Sequence, residues 1–471
     1  MDKYRLVIGL EVHSELKTLS KAFCSCKNEV GAIPNTLVCP VCLGLPGASP
    51  SINKRAIELT MMAGLALGAN IDEEIVFERK NYFYPDLPKG YQICQLRHPI
   101  ATGGVVEIAG GKRIRLNRIH LEENAGKLLH TGDGRIYVDF NRSGAPILEI
   151  VSEPDFSSSK EVIEFISTLR NILMFSGVSD CRMETGGYRF DINLSVQRTD
   201  SAELGTRIEM KNLTSFKDVE MAIDYEFQRH IEILEAGEEV SQETRGWDAE
   251  KMQTYSVRRK ESENDYRHFP DTDLPTITIS KEDISRVASE LPESYAKRRE
   301  KYFALGLTKY DVDLLMQNKY LADYFDRVNA LTNEPKETAN WILTEILALA
   351  KNVVDMDYDY IISSSDLALI INMLGKSQIS RTNAKEVLLQ VVETGKKAKF
   401  IVRELGLWGD VDDEDIEEII NALLSENPGL KADYLNSPEV VSNHIIGEVI
   451  SRTNGKARAE KVLEILARIV K

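Results

Sequence analysis

The 471-residue chain has no apolar run long enough to cross a bilayer, so no membrane-spanning helix is expected. It has no Walker A loop, no GxGxxG opening a helix and no Gly-x-Ser-x-Gly elbow. A Ser-His-Asp hydrolase therefore has no support, and any use of ATP requires an uncommon scaffold. Positive charge is in short supply. Lys and Arg number 58 against 74 Asp and Glu, giving a net charge of −16 and a pI near 5.1. That balance argues against a general nucleic-acid coat and against an anionic membrane surface, while leaving room for a local basic groove. Internal repeats and extended low-complexity linkers are lacking. The opening MDKYRLVIGLEV reads directly into a strand with no leader-like apolar segment, so a cytoplasmic enzyme is expected. Cysteine is scarce, at six residues, and four of them fall in pairs within one short segment. In a large intracellular chain that grouping points to metal rather than disulfides.

What is present divides into three textures, as the length leads one to expect. Residues 1–290 read as mixed α and β, with turn-rich segments such as Thr102-Gly103-Gly104 separating short alternating runs. Helical spacing marks 54–68, 159–176 and 216–236, the last ended by Gly237. Strand-like pieces lie at Tyr137–Phe140, Ile147–Val151, Phe190–Val196 and Thr206–Met210. From Leu291-Pro292 nearly every segment to residue 405 has helical period, with breaks at Gly306, Asn333-Glu334-Pro335 and Gly375. A last domain, 406–471, opens at Gly406-Leu407-Trp408-Gly409 and ends in a modestly basic helix. The fold class expected is α+β: a mixed-sheet domain, then a helical domain, then a small helical tail.

Chemistry-bearing residues cluster in the first third. In Ile8-Gly9-Leu10-Glu11-Val12-His13, Glu11 and His13 share a strand face, which makes half of a divalent metal site. Glu123 ends the apolar face of Ile119 and Leu121, and Glu149 lies between Ile147 and Val151 on one strand face. A carboxylate among such neighbours is costly to bury unless paired or metal-bound. Glu11, His13, Glu123 and Glu149 would together offer oxygen-rich ligation suited to Mg²⁺, although spacing alone does not bring the three segments together. Cys24-Ser25-Cys26 and Cys39-Pro40-Val41-Cys42 form C-x-C followed by C-x-x-C, enough to close a tetrahedral structural zinc site. A redox pair at Cys39 and Cys42 is the alternative, and Cys94 and Cys181 read as free thiols. Residues 77–95 interleave Arg79, Lys80 and Lys89 with Tyr82, Phe83, Tyr84 and Tyr91. Cations among flat rings suit a phosphate plus a base, and a proline-stiffened surface loop would look the same.

These stretches together resemble the B-subunit family of the bacterial aspartyl/glutamyl-tRNA amidotransferases. The resemblance rests on IGLEVHSEL (8–16), VCPVCLGLPGASP (38–50), RKNYFYPDLPKGYQI (79–93), RIHLEENAGK (118–127) and DFNRSGAPILEIVSEPD (139–155). It continues in GTRIEMKNLTSF (205–216), QETRGWD (242–248) and RRKESENDYRHFPDTDLP (258–275), all in family order, and more weakly to the C-terminus. It implies a cradle domain, a helical domain and a tail similar to the YqeY family, working with a glutaminase A subunit and a small C subunit. The B subunit would use ATP to phosphorylate the side-chain carboxylate of Glu-tRNA(Gln) or Asp-tRNA(Asn), and ammonia would displace the phosphate. By this resemblance Glu11, His13, Glu123 and Glu149 are Mg²⁺ ligands and catalytic residues. Arg79, Lys80, Tyr82, Lys89, Tyr91, Lys211 and Asn212 are assigned to substrate and ATP, with Asp265, Tyr266 and Arg267 as further cradle residues. Zinc at Cys24, Cys26, Cys39 and Cys42 fits members that retain those cysteines.

The chain departs from the family pattern at Met183-Glu184-Thr185-Gly186-Gly187, where Met-Glu-Glu-Gly-Ser is usual, and at Phe190, Thr214 and His268. The tail has Ile446-Gly447-Glu448-Val449 in place of Val-Gly-Gln-Met. This drift leaves one alternative, a non-catalytic, zinc-stabilised paralogue that holds tRNA or a partner protein.

Overall fold

The computed structural model describes residues 3–211, 213, 215–259, 266–350, 357–407, 413–436, 438–453 and 457–470. The chain divides into two compact units, Met1–Lys297 and Arg298–Lys471. In the first, the elements that build the site are β1 (Tyr4–Glu15), α1 (Lys54–Ala66), β2 (Glu78–Asn81), β3 (Tyr91–Cys94), β4 (Arg113–Glu123) and β5 (Pro146–Ser152). They continue with α2 (Ser159–Phe175), β6 (Tyr188–Arg198), β7 (Ile208–Lys211), α3 (Phe216–Glu235), β8 (Glu243–Asp248) and β9 (Gln253–Arg259). The three helices read from apolar spacing all form. Side chains cap them: Asn53, Ser158 and Ser215 each accept backbone N–H bonds at their N-termini.

A ten-stranded sheet runs β9-β8-β7-β6-β1-β5-β4 and ends in two short strands, Ala101–Thr102 and Asn70–Ile71; the tenth strand, Val105–Glu107, pairs with β4 off this path. The pairings along it are antiparallel except β7 with β8. β1 lies in the middle because it is long and alternating. Its even-numbered residues Ile8, Leu10 and Val12 are wholly buried, beside Ile150 of β5, Ile119 and Leu121 of β4, and Phe190 and Ile192 of β6. Helices α2 and α3 cover this face; Tyr188 reaches across to donate to the Ile166 carbonyl at 2.8 Å. The odd-numbered residues of β1 leave by the opposite face, which carries the ionisable groups.

One polar node is sealed within the first unit. Glu226 of α3 is fully buried and accepts from Arg245 Nε at 2.8 Å, from Arg229 Nε at 2.9 Å and from the Thr254 hydroxyl, tying the helix to β8 and β9. Burial alone would push its pKa up, but bonds from His230, Arg229 and Thr254 prevail and bring it down to about 2.

The second unit is helical among its described residues. Lys319–Thr332 ends at Asn333 in the left-handed region, Pro335 begins the next helix, and Ser364–Gly375 stops at its glycine. Trp341, Tyr324 and Phe325 fill its centre. Ile416, Ile420, Ile445, Val449, Ile465 and Leu466 gather in a cluster of their own near the C-terminus. No helix of the described residues is long and apolar enough to cross a membrane. Trp408 and Gly409, the expected start of the tail, lie outside the described residues.

Glu226 gives a pH prediction. Its folded pKa is depressed, so its stabilisation is complete above the unfolded value of about 4.5 and is lost as pH falls toward 2. Glu226→Gln should flatten the acid limb of a stability-versus-pH curve over that window and lower stability at pH 7. An unchanged acid limb in urea titrations would refute the assignment.

Candidate active site

The polar face of the sheet forms one wall of a cavity of about 1100 Å³. Directly paired residues on neighbouring strands project to the same face, so register lines side chains up in rows. One row reads His120, Glu149, His13, Arg189 across β4, β5, β1 and β6. Glu11 pairs with Asp191, and Asn193 pairs with Glu209, which in turn faces Thr244.

The rows produce two clusters. In the first, His13 Nε2 lies 3.3 Å from Glu149 Oε2 and 3.5 Å from Glu122 Oε1, and His120 Nε2 lies 3.5 Å from Glu149 Oε2. In the second, Glu11, Asp191 and Glu209 converge. Asn193 Nδ2 donates to Glu11 at 2.9 Å, Lys211 Nζ to Asp191 at 2.6 Å and Thr244 Oγ1 to Glu209 at 2.9 Å. Within each group, His13–Glu122–Glu149 and Glu11–Asp191–Glu209, one ligand atom per residue falls within 4.8 Å of the others.

Electrostatics follow from burial. Desolvation opposes charge on His13, but the neighbouring Glu149 and Glu122 carboxylates outweigh it and raise its pKa. Desolvation would likewise raise Glu149, yet His120 and His13 hold it well below the carboxylate range. Glu122, desolvated and beside the Glu149 charge, is pushed up. An imidazole and two carboxylates at these separations match the donor set of a divalent cation. Three buried atoms of the region, His13 Nδ1, His120 Nδ1 and Asn193 Oδ1, have no partner among the described residues.

The β2–β3 hairpin supplies another wall. Lys80 and Tyr82 line the cavity, and Lys80 Nζ sits 4.9 Å from the Tyr266 ring and 6.0 Å from the Tyr82 ring. Burial works against the Lys80 charge, but Glu122 and Glu149 hold its pKa above the usual value. Lys211 also lines the cavity.

Several expected site residues sit elsewhere. Glu123 does not join His13 and Glu149; alternation along β4 sends it away and puts Glu122 in that position. Its carboxylate instead pairs with Lys89 and accepts from Ile93 N at 2.9 Å, and its carbonyl accepts from Gln92 Nε2 at 2.7 Å, which clamps the hairpin. Lys89 is thus engaged by a buried carboxylate. Arg79 points to the far side of β2, where it binds Asp271 at 2.7 Å and Asp273 at 2.8 Å and lies 4.3 Å from the Tyr91 ring. None of Arg79, Lys89 and Tyr91 lines the cavity. Asn212 and Asp265 lie outside the described residues. Spacing did not single out Glu122, His120, Arg189, Asp191 or Glu209 as site residues. Strand alternation could have exchanged Glu122 for Glu123; the others needed the register.

The four paired cysteines do meet. One Sγ from each of Cys24, Cys26, Cys39 and Cys42 falls within 4.8 Å of the others, and none is in a disulfide. Lys21 is wholly buried beside them, with Nζ 3.6 Å from Cys42 Sγ and 3.4 Å from the Phe140 carbonyl. A bond from Cys24, reinforced by the backbone of Cys39 and the Lys21 charge, brings the Cys42 pKa down to about 4. A buried ammonium needs an anion, and a thiolate cluster supplies it. Cys42→Ser should therefore lower both bound metal, read by atomic spectroscopy, and the melting temperature, whereas Cys94→Ser should leave bound metal unchanged. Equal metal content in both variants would exclude a metal at these cysteines.

Known proteins match along the whole length. Residues 6–285 fit the family model described as the GatB/GatE catalytic domain, and residues 323–470 fit one described as the GatB domain. The B subunit of the aspartyl/glutamyl-tRNA(Asn/Gln) amidotransferase of Thermodesulfovibrio yellowstonii is 43% identical over 100% of both chains. Its namesakes in Pelodictyon phaeoclathratiforme and Caldicellulosiruptor saccharolyticus are each 44% identical, over 99% and 98% of both chains respectively. Matched over its full length at this identity, the chain belongs to the family of aspartyl/glutamyl-tRNA(Asn/Gln) amidotransferase B subunits.

Proposed function

We propose that the chain uses ATP to activate the side-chain carboxylate of a mischarged aminoacyl-tRNA, Glu-tRNA(Gln), Asp-tRNA(Asn) or both, and then amidates it. The observation that carries this reading is the pair of clusters, His13–Glu122–Glu149 and Glu11–Asp191–Glu209, on one sheet face beside Lys80, Tyr82 and Tyr266. A carboxylate is a poor acyl donor because its leaving group would be an oxide. In the first step one carboxylate oxygen bonds to the γ-phosphorus of ATP. The bond from that phosphorus to the bridging oxygen breaks, and ADP leaves with the electron pair. In the second, the nitrogen of ammonia bonds to the acyl carbon, phosphate leaves with its electron pair, and the nitrogen sheds one proton.

The chain's own groups orient these reactants. Mg²⁺, held by His13, Glu122 and Glu149 with Glu11, Asp191 and Glu209 as a second donor set, would offset phosphate charge. Lys80 meets a phosphate, and Tyr82 and Tyr266 offer flat faces to the nucleotide. Ammonia would come from a glutaminase A subunit, and a small C subunit would complete a cytoplasmic heterotrimer. Zinc at Cys24, Cys26, Cys39 and Cys42 is structural. An acidic chain can still hold tRNA when the contact is small and reads backbone shape. The division into a cradle (1–290), a helical domain (291–405) and a tail (406–471) belongs to this reading, supported by the separate apolar cluster of residues 416–466.

In a complex reconstituted with A and C subunits, ATP turnover should depend on a mischarged tRNA, and Glu11→Ala or Glu149→Ala should lower it on the order of 100-fold or more. Glu122→Gln should raise the Mg²⁺ concentration for half-maximal rate about 10- to 100-fold. Glu123→Gln should leave that requirement alone and instead cost about 3–5 kcal/mol of stability, because Lys89 loses its buried partner. Full turnover in the Glu149→Ala complex would end the proposal.

A further inference from the structure

The first cluster lies between two cations of different shape. On the side of Glu122 and Glu149 stands Lys80, near the Tyr82 and Tyr266 rings. On the side of His13 stands Arg189, its direct cross-strand neighbour, which lines the same cavity. Arg189 is half-buried; its charge acts on His13 and, together with that of Arg142, on the Glu15 carboxylate. Its Nη2 donates to Asn124 Oδ1 at 3.1 Å. Asn124 is itself 3% exposed and fixed by its backbone, which donates to Ala145 O at 2.8 Å and accepts from Gly144 N at 2.9 Å. Asn124 Nδ2 is buried with no partner among the described residues. The neighbouring Arg142 is already engaged, donating to Ala125 O at 3.1 Å and Gly126 O at 2.7 Å.

We propose that Arg189, steadied by Asn124, binds the side-chain carboxylate of the aminoacyl substrate and sets the enzyme's preference for the acidic substrate over its amide product. The inference rests on the phosphorylation reading above and names the group that holds its acceptor. The planar fork of a guanidinium matches a carboxylate two-pronged, while the compact ammonium of Lys80 suits a phosphate as a point charge. A carboxylate has about four lone-pair positions, so two bonds to Arg189 leave others for attack on the γ-phosphorus. That attack forms the oxygen–phosphorus bond and releases ADP with its electron pair; no proton moves. After amidation the group is neutral, Arg189 loses its ionic partner, and the product is released in preference to the substrate.

The test compares glutamyl-tRNA with glutaminyl-tRNA, which differ by one carboxylate, on the reconstituted complex. The wild-type complex should bind glutamyl-tRNA more tightly, and Arg189→Gln and Arg189→Lys should each reduce that preference about 10-fold. KM for ATP should move less than about threefold, since the lost contact is to the carboxylate. An unchanged preference, or an equal rise in KM for both substrates, overturns the assignment. A rise in KM for ATP alone also overturns it, because Arg189 would then be holding phosphate. Unaltered melting temperatures identify these effects as local. If the wild-type complex shows no tRNA-dependent ATP turnover, the phosphorylation reading itself falls; if turnover stands and only the preference is insensitive, the Arg189 assignment alone falls.

Discussion

Everything at the site depends on the alternation of one central strand. β1 has hydrogen-bonded neighbours on both sides, so neither its register nor its facing can slip without turning Ile8, Leu10 and Val12 toward the cavity. Burying those three residues against the helix-covered face holds Glu11 and His13 on the other. The apolar half of the strand thereby sets the position of the ionisable half. The same division runs through β4, β5 and β6, which is why residues far apart in sequence arrive in common rows.

Packing so many charges on one face is costly, and the fold distributes the cost. Imidazoles stand between carboxylates in the first cluster, and Lys211, Asn193 and Thr244 donate to the second. The outcome is a set of unequal groups: Glu149 held firmly ionised, Glu122 pushed toward its proton, and His13 inclined to keep its own. A cation placed among them would draw the proton off Glu122 and His13 and reinforce the charge on Glu149, which makes the arrangement responsive to ligands rather than rigidly self-satisfied.

Outside the sheet, buried ion pairs act as fasteners. Lys89 with Glu123 and Arg79 with Asp271 fix the β2–β3 hairpin, so that Lys80 and Tyr82 face inward. Lys21 bonds toward both the cysteine cluster and the Phe140 carbonyl, just before the turn that leads into β5. Ala22 N donates to Gly144 O at 2.8 Å in the same turn, so the cysteine-bearing segment braces the loop that meets Asn124 and, through it, Arg189. The cysteines are thus linked to the cavity by a short chain of backbone bonds.

Sequence alone marks the three helices α1 to α3 and the strands β1, β5, β6 and β7, but not β2, β3, β8 or β9. Period and caps mark the helices, alternation marks the strands, paired cysteines mark their cluster, and Glu11, His13 and Glu149 stand out because acids and imidazoles are rare within apolar strands. It does not separate adjacent residues on opposite strand faces, naming Glu123 rather than Glu122 with His13 and Glu149, and Arg79 together with Lys80. Glu122 and Glu123 differ by one position, as do Arg79 and Lys80, and in a strand one position means the opposite face. Arg189, Asp191 and Glu209 were legible only as polar residues, because their place on the cavity face comes from strand pairing across gaps of tens to nearly two hundred residues. Local periodicity is written in the chain, since it depends on neighbours in sequence. Register between distant strands is decided only when the whole sheet closes over its shared apolar face, and that closure selects which of two adjacent acids enters the cavity.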